Sequence, residues 1–238
     1  MKHQYFGDIN DFFKYGLLHA LSAEQRLKLG ICWMLTADDS RRDGSRIGYL
    51  DEPNKWRPRN PALFDHLARY VKAEGKRSVR HMERDNILPG AMFYLRRLTD
   101  NAIERRRYFS DVLKRFAGVD LIFFDPDNGL EVKSVPLGKV NSSKYLYFSE
   151  VLAAFKAGHS ILIYQHFRRE DRKRFIANLA VILRTNTDAQ EIYSFQTAHV
   201  VFLLLVQQRQ SAHFRTGIRA VAQLWPAQFQ CLSHLTYC

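Results

Sequence analysis

Carboxylates gather where an apolar run stops in Asp120-Leu-Ile-Phe-Phe-Asp-Pro-Asp-Asn-Gly-Leu-Glu131. Leu121 to Phe124 read as a buried strand. Asp125, Asp127, Asn128 and Glu131 follow at its end, with Lys133 just beyond. In open α/β sheets ligands bind outside the carboxyl ends of strands, so this loop is placed for chemistry. Pro126 fixes φ between the two aspartates, and Gly129 allows a tight turn or the close approach of a ligand. The hard oxygens of Asp125, Asp127 and Glu131 suit Mg²⁺ or Mn²⁺. An ordinary Asp/Asn/Gly turn closing a strand has the same composition.

Two more polar segments follow apolar runs. Thr36-Ala-Asp-Asp-Ser-Arg-Arg-Asp-Gly44 comes after Leu29–Leu35, where doubly wound folds hold their cofactor loop. It carries Asp38, Asp39, Asp43, Arg41 and Arg42, but no Gly-x-Gly-x-x-Gly or P-loop pattern. Tyr164-Gln-His-Phe-Arg-Arg169 supplies His166 as a candidate proton shuttle, and Arg168 and Arg169 as phosphate grips. No local signature of Ser-His-Asp or Cys-His nucleophilic catalysis is present.

The elements that position these segments follow from periodicity. Helical spacing marks 11–21, 61–72, 91–98, 102–116, 144–155, 168–183 and the tail from Phe214 to Trp225. Strands are expected at 29–36, 78–82, 119–124, 159–164, 191–195 and 199–206, the last two forming an antiparallel pair. Unbroken apolar strands alternating with helices predict a mostly parallel sheet covered on both faces, in one α/β domain over 1–238.

The chain's 238 residues, 46% hydrophobic, suffice for one large core. Lys and Arg number 36 against 24 acids, and a net charge of +12 favours a polyanionic partner such as nucleic acid. Cys32, Cys231 and Cys238 show no paired spacing, which speaks for reduced thiols and against structural zinc. The longest apolar run, Val200 to Val206, is too short to span a bilayer, and no signal-like stretch opens the sequence. A cytoplasmic location without membrane contact is expected.

Gly7-Asp-Ile-Asn-Asp11-Phe-Phe-Lys14-Tyr15 resembles the Gly-x-x-x-Asp-x-x-Lys-His element of the S-adenosylmethionine-dependent adenine-N6 methyltransferases of large-subunit ribosomal RNA. Pro89-Gly90, followed by an expected apolar helix with Arg96, resembles that family's Pro-Gly helix start. Ile122-Phe-Phe-Asp125-Pro126 is similar to the strand leading into its Asp-Pro-Pro-Tyr loop. The resemblance implies a methyltransferase-like, Rossmann-like fold. It places Asp125 at the exocyclic amine of an adenine, with Lys14 and Tyr15 beside it; with these, Asp127, Asn128 and His166 complete the expected catalytic site. It places Gly7, Asp11, Thr36, Asp38 and Asp39 around S-adenosylmethionine. Asp127 and Asn128 stand where the family has its second Pro and Tyr, and Thr36-Ala-Asp-Asp39 where it has a glycine-rich loop.

Three functions are compatible with these residues. One is a nucleic-acid-modifying enzyme of methyltransferase type. Another is a Mg²⁺- or Mn²⁺-dependent nuclease or phosphohydrolase built on Asp125, Asp127 and Glu131. The third is a non-enzymatic nucleic-acid or partner-binding protein using helices rich in Arg, at Arg96, Arg97, Arg105–Arg107 and Arg168–Arg174.

Overall fold

The computed structural model describes residues 1–22, 27–39 and 44–234. Apart from short 3-10 turns and a π-helical turn at Arg69–Ala73, the chain runs through α1 (Ile9–Ser22), β1 (Leu29–Cys32), α2 (Pro53–Trp56), α3 (Pro61–Ala68), α4 (Arg80–Arg84) and β2 (Met92–Tyr94). It continues through α5 (Ala102–Arg115), β3 (Leu121–Phe124), β4 (Gly129–Leu130), β5 (Tyr145–Leu146), α6 (Phe148–Lys156) and β6 (Ser160–His166). It closes with α7 (Arg172–Thr187), β7 (Glu191–Gln196), β8 (Val200–Val206), α8 (Ser211–Leu224) and β9 (Gln230–Ser233).

The main sheet has the strand order β2-β1-β3-β6-β8-β7-β9. β2, β1, β3 and β6 are parallel neighbours, and β8 runs antiparallel between β6 and β7. The expected C-terminal antiparallel pair is therefore β7 and β8, with β9 added antiparallel at the edge. This is a Rossmann-like, mostly parallel α/β arrangement. The chain steps outward from β1 to β2 and then returns to β3 on the other side of β1. That reversal puts the topological switch point between β1 and β3, whose ends pair as Cys32 and Phe124.

Alternate strand residues feed two cores. Ile31, Leu121 and Phe123 join Phe12, Leu17 and Trp225 under α1 and α8, whereas Cys32, Ile122 and Phe124 meet Tyr108, Val112, Val151 and Leu183 of α5, α6 and α7. Both faces are thus covered, which is why these strands read as continuous apolar runs. No helix among the described residues is long and apolar enough to cross a membrane.

Several local expectations are corrected. Residues 78–82 are not a strand. Ser78 Oγ accepts the Arg80 amide at 3.3 Å and opens α4, which buries His81 and Met82 together. Residues 91–98 are not a helix. Met92–Tyr94 pair with Gly30–Cys32, and Phe93 and Tyr94 enter opposite cores, a period of two. The Pro-Gly helix start of the resembled family is therefore absent, and Arg96 instead pairs with Asp111 of α5 at 2.8 Å. The first strand ends at Cys32 because Met34 turns to φ 45°, and Leu35 resumes pairing only as a bridge to Arg97. Helix 144–155 starts late, at Phe148, since Tyr145–Leu146 pair with Gly129–Leu130. Asp171 caps α7 through the Arg174 amide at 2.8 Å, so Arg168 and Arg169 lie in the loop before it. Arg105 is buried, so only Arg106 and Arg107 of the expected Arg105–Arg107 binding run are exposed.

Candidate functional site

Beside the switch point, beyond the ends of β3 and β6, a cavity of about 470 Å³ opens. Asp8 begins it by capping α1, its carboxylate accepting the Asn10 and Arg46 amides at 3.0 Å each. One turn on, Lys14 points inward, with its ammonium 2.7 Å from Asp11 Oδ1 and 2.6 Å from Asp125 Oδ2. All three side chains are buried, and the Tyr164 ring lies 5.2 Å from the ammonium. Burial pushes the Asp11 carboxyl up to about 6, against the pull of Lys14. Burial works to lower the Lys14 ammonium, but Asp11 and Asp125 outweigh it and the net shift is upward. Lys14 is therefore a fixed cation and not a proton acceptor near neutrality.

Asp127 lies against the start of the chain. Its Oδ1 is 2.5 Å from the Met1 ammonium, and its Oδ2 accepts the Thr36 hydroxyl at 2.7 Å. Burial works to raise the Asp127 carboxyl, but the Met1 ammonium beside it holds it below the usual range. Asn128 is exposed at the mouth, with its amide donating to the Lys144 carbonyl at 2.9 Å. Gly129, at φ 105°, lets the loop lie on the buried Gln165 amide, whose Oε1 accepts the Leu130 N–H at 2.7 Å. His166 lines the same cavity at the end of β6, and burial lowers its imidazole below the ordinary value. It is therefore a neutral imidazole near pH 7.

The structure thus brings Lys14, Asp11, Asp125, Asp127, Asn128 and His166 to one cavity. Thr36 reaches it only through Asp127. Asp38 and Asp39 do not line it, because residues 1–4 lie between them and the crevice. Asp39 pairs with Lys2 and accepts from Gln4 Nε2 at 3.2 Å, and Asp38 accepts the Gln4 amide at 3.3 Å. Gly7 shapes the approach to α1, its N–H bonding Asp11 Oδ2 at 3.0 Å. Tyr15 packs edge-on against Trp33 in the core instead of lining the site. Arg41, Arg42 and Asp43 lie outside the described residues.

The candidate metal set does not converge. Glu131 Oε1 accepts the first amide of α6, from Phe148, at 3.0 Å. Asp120 sits at the opposite end of β3, accepting from Lys28 N at 2.9 Å and Gln210 Nε2 at 3.0 Å. Among the described residues no three His, Cys, Asp or Glu side chains are grouped to hold a metal ion.

Sequence reasoning missed Met1, Lys2, Arg46, Lys144 and Tyr164 as parts of the wall. Tyr164 is two residues before His166 on one strand, so alternation signals that both face one side. Met1, Arg46 and Lys144 have no such local signal. Arg46 is half exposed at 48% and stands 3.8 Å from Asp8. Burial lowers the His199 imidazole, and the charges of Arg46 and Arg172 add to the fall.

S-adenosylmethionine, the cofactor of the resembled family, does not fit the residues as they stand. The crevice beyond β1 has no glycine turn, and its acceptors already hold the Met1 ammonium through Asp125 O at 3.1 Å and Met34 O at 3.3 Å.

No family model matches the chain, and no curated protein matches it. Among solved structures, protein LPL1258 from Legionella pneumophila str. Philadelphia 1, described under the family model DUF519, superposes with a TM-score of 0.46 at 10% identity, over 96% of each chain.

Proposed function

We propose that the protein binds nucleic acid and takes one nucleobase into the cavity beyond β3 and β6, with its exocyclic amine bonded to Asp125. The observation that carries this reading is the contrast between floor and surroundings. Asp8, Asp11, Asp125 and Asp127 meet inside, whereas Arg46 and Lys144 line the same cavity, Arg168 and Arg169 are exposed on the loop after β6, and Arg172 is exposed at the start of α7. Carboxylates accept hydrogen bonds from a base amine, as in recognition of an extruded base by its Watson–Crick edge. Guanidinium and ammonium groups around them suit the phosphates, which set affinity and register. The chain's charge of +12 supports the same class of partner. The resemblance of Gly7–Tyr15 and Ile122–Pro126 to adenine methyltransferases adds that the amine is an adenine's. No transfer step is derived, since the methyl donor does not fit.

Fluorescence anisotropy with short single-stranded RNA and DNA tests this reading. Affinity should fall linearly with the logarithm of salt concentration, and Arg46→Ala should reduce that slope by about 1. Oligonucleotides with adenine should bind better than those with purine lacking the amine, by about 1–3 kcal/mol, and Asp125→Asn should change that preference. Salt-insensitive binding, or no dependence on the amine, would refute it.

A further inference from the structure

The loop between β4 and β5 presents apolar side chains at its corners. It makes two successive tight turns. In Pro136–Lys139 the Lys139 N–H donates to Pro136 O at 3.1 Å, with Gly138 at φ 83° in the third position. In Lys139–Ser142 the Ser142 N–H donates to Lys139 O at 2.9 Å, with Asn141 at φ 71° in the third position. A positive φ there is what a type II turn demands. Each turn therefore carries an apolar residue at its second position, Leu137 and then Val140. Both are exposed, Val140 to 79%. Gly, Pro, Asn, Asp and Ser are the ordinary choices at such corners.

The corners are held in place. Asp100 accepts the Asn141 and Ser143 amides at 2.9 and 2.7 Å, and the Tyr147 hydroxyl donates to Val135 O at 2.8 Å. Gly138 lies on the first turn of α5, where a Cβ would stand 3.1 Å from Ala102 Cβ, and the next residue of that helix, Ile103, is exposed as well. Lys133 and Lys139 are exposed on the loop, and Arg106 and Arg107 on α5. The nearby acids are engaged. Asp100 holds the loop amides, Glu104 accepts the Thr99 hydroxyl at 2.6 Å, and Glu131 accepts the Phe148 amide. The loop also adjoins the cavity. The Lys144 N–H donates to Asn141 O at 3.1 Å, Lys144 O accepts the Asn128 N–H, and both Lys144 and Asn128 line the cavity wall.

We propose that this loop is a wedge for base-paired nucleic acid, with Leu137 and Val140 entering the base stack beside the cavity while Lys133, Lys139 and Lys144 meet the flanking phosphates. The inference rests on the reading that a nucleobase enters the cavity. A paired base cannot reach acids on a cavity floor without leaving its stack. Apolar side chains inserted between base steps hold such a stack open in proteins that kink a duplex. Corners already fixed by hydrogen bonds lose little freedom on insertion. The cations around the tip favour a polyanion over an apolar protein surface.

Anisotropy titrations compare the wild type, Leu137→Ser/Val140→Ser and Val140→Leu on single strands and on matching duplexes of DNA and of RNA, each with a central adenine. A 2-aminopurine beside that adenine brightens when its neighbour leaves the stack. The wild type and Val140→Leu should bind at least one duplex and brighten the probe, and the duplex that responds identifies DNA or RNA. The double serine variant should lower the ratio of duplex to single-strand affinity at least about tenfold and leave the probe quenched. Removing the base opposite the adenine abolishes the pairing to be broken and should return most of that loss. An unchanged ratio in the serine variant, a full loss that persists opposite the missing base, or wild-type binding to single strands alone would overturn the wedge and leave the base-binding reading intact. A duplex bound by the wild type with the probe still quenched would overturn it without any variant. Binding to no nucleic acid would overturn both.

Discussion

The Lys14 ammonium lies 2.6 Å from Asp125 Oδ2 and 2.7 Å from Asp11 Oδ1, so one buried cation ties the first helix to the end of the central strand. Two carboxylates share it. Asp11 is also held by the Gly7 N–H, and Asp125 continues the sheet through its own N–H to Cys32 O at 3.1 Å. The position of the Asp125 loop and the position of α1 are therefore not independent. A base or any other ligand entering the cavity meets acids whose places are set by Lys14.

Lys14→Met removes that cation while keeping most of the unbranched side chain. Two buried carboxylates are then left without their partner, which costs about 3–5 kcal/mol in comparable cases. Urea unfolding should show this loss. Adding Asp11→Asn and Asp125→Asn to Lys14→Met should recover much of it, since no uncompensated charge remains buried. Wild-type stability in Lys14→Met would mean the triad is not formed as described.

Gly129→Ala tests the loop from the other side. At φ 105° a side chain is strained, and a Cβ there would overlap the Gln165 amide that receives the Leu130 N–H. Strain and overpacking together should cost at least about 2 kcal/mol by chemical denaturation. Because the displaced residues adjoin Asn128 and Asp127, nucleic-acid binding should weaken as well. An unchanged midpoint and unchanged binding would show that the loop is free to move.

What was legible in the sequence divides along physical lines. The run Leu121–Phe124 and the polar stop at Asp125 gave a central buried strand and the site at its end, because burial on both faces writes itself as continuous apolarity. Asp11 and Lys14 of the Gly7-x-x-x-Asp11-x-x-Lys14 element meet in the structure, since i and i+3 on a helix share a face. Asp120 and Glu131 read as part of the acidic cluster, yet one lies at the far end of β3 and the other caps α6. Sequence proximity says nothing of which end of a strand, or which amide, a carboxylate serves. Met92–Tyr94 was misread because a short apolar run suits helix and strand alike, and only its pairing to β1 decides. Met1 and Arg46 reach the site through tertiary contacts that no spacing encodes.

The sequence groups Arg105 with Arg106 and Arg107 on an Arg-rich helix suited to binding a partner, but Arg105 is 1% exposed. Its guanidinium grips Glu150 through Nε at 2.6 Å and Nη2 at 2.8 Å, and donates to Ser142 O at 2.9 Å and Tyr145 O at 2.6 Å. Glu150 in turn accepts the Tyr147 N–H at the start of α6. Arg105→Lys keeps the charge but not the planar fork, so it should still destabilise measurably. Arg105→Met strands the buried Glu150 and should cost about 3–5 kcal/mol. Thermal and urea unfolding of the two variants should rank them in that order, and equal stabilities would remove the fork from the account.

His66 sets an expectation for acid stability. Its ring is 7% exposed, packs edge-on to Phe6 and Tyr70, and has Nδ1 3.4 Å from Asp85 Oδ2. Burial pushes its pKa down from the ordinary 6.5 to about 4, with Asp85 opposing and His81, Arg69 and Arg84 adding to the fall. Between those two values the unfolded chain takes up a proton that the native chain refuses. This contribution to stability is whole above pH 6.5 and is lost as pH falls toward 4. Asp11, raised to about 6, works in the opposite sense as pH falls below that value, so the total curve mixes signs. His66→Gln isolates one of them, because glutamine can still donate toward Asp85 and does not titrate. Melting temperatures of the wild type should drop more steeply than those of His66→Gln as pH is lowered through this window. Parallel curves would assign the acid sensitivity to other groups.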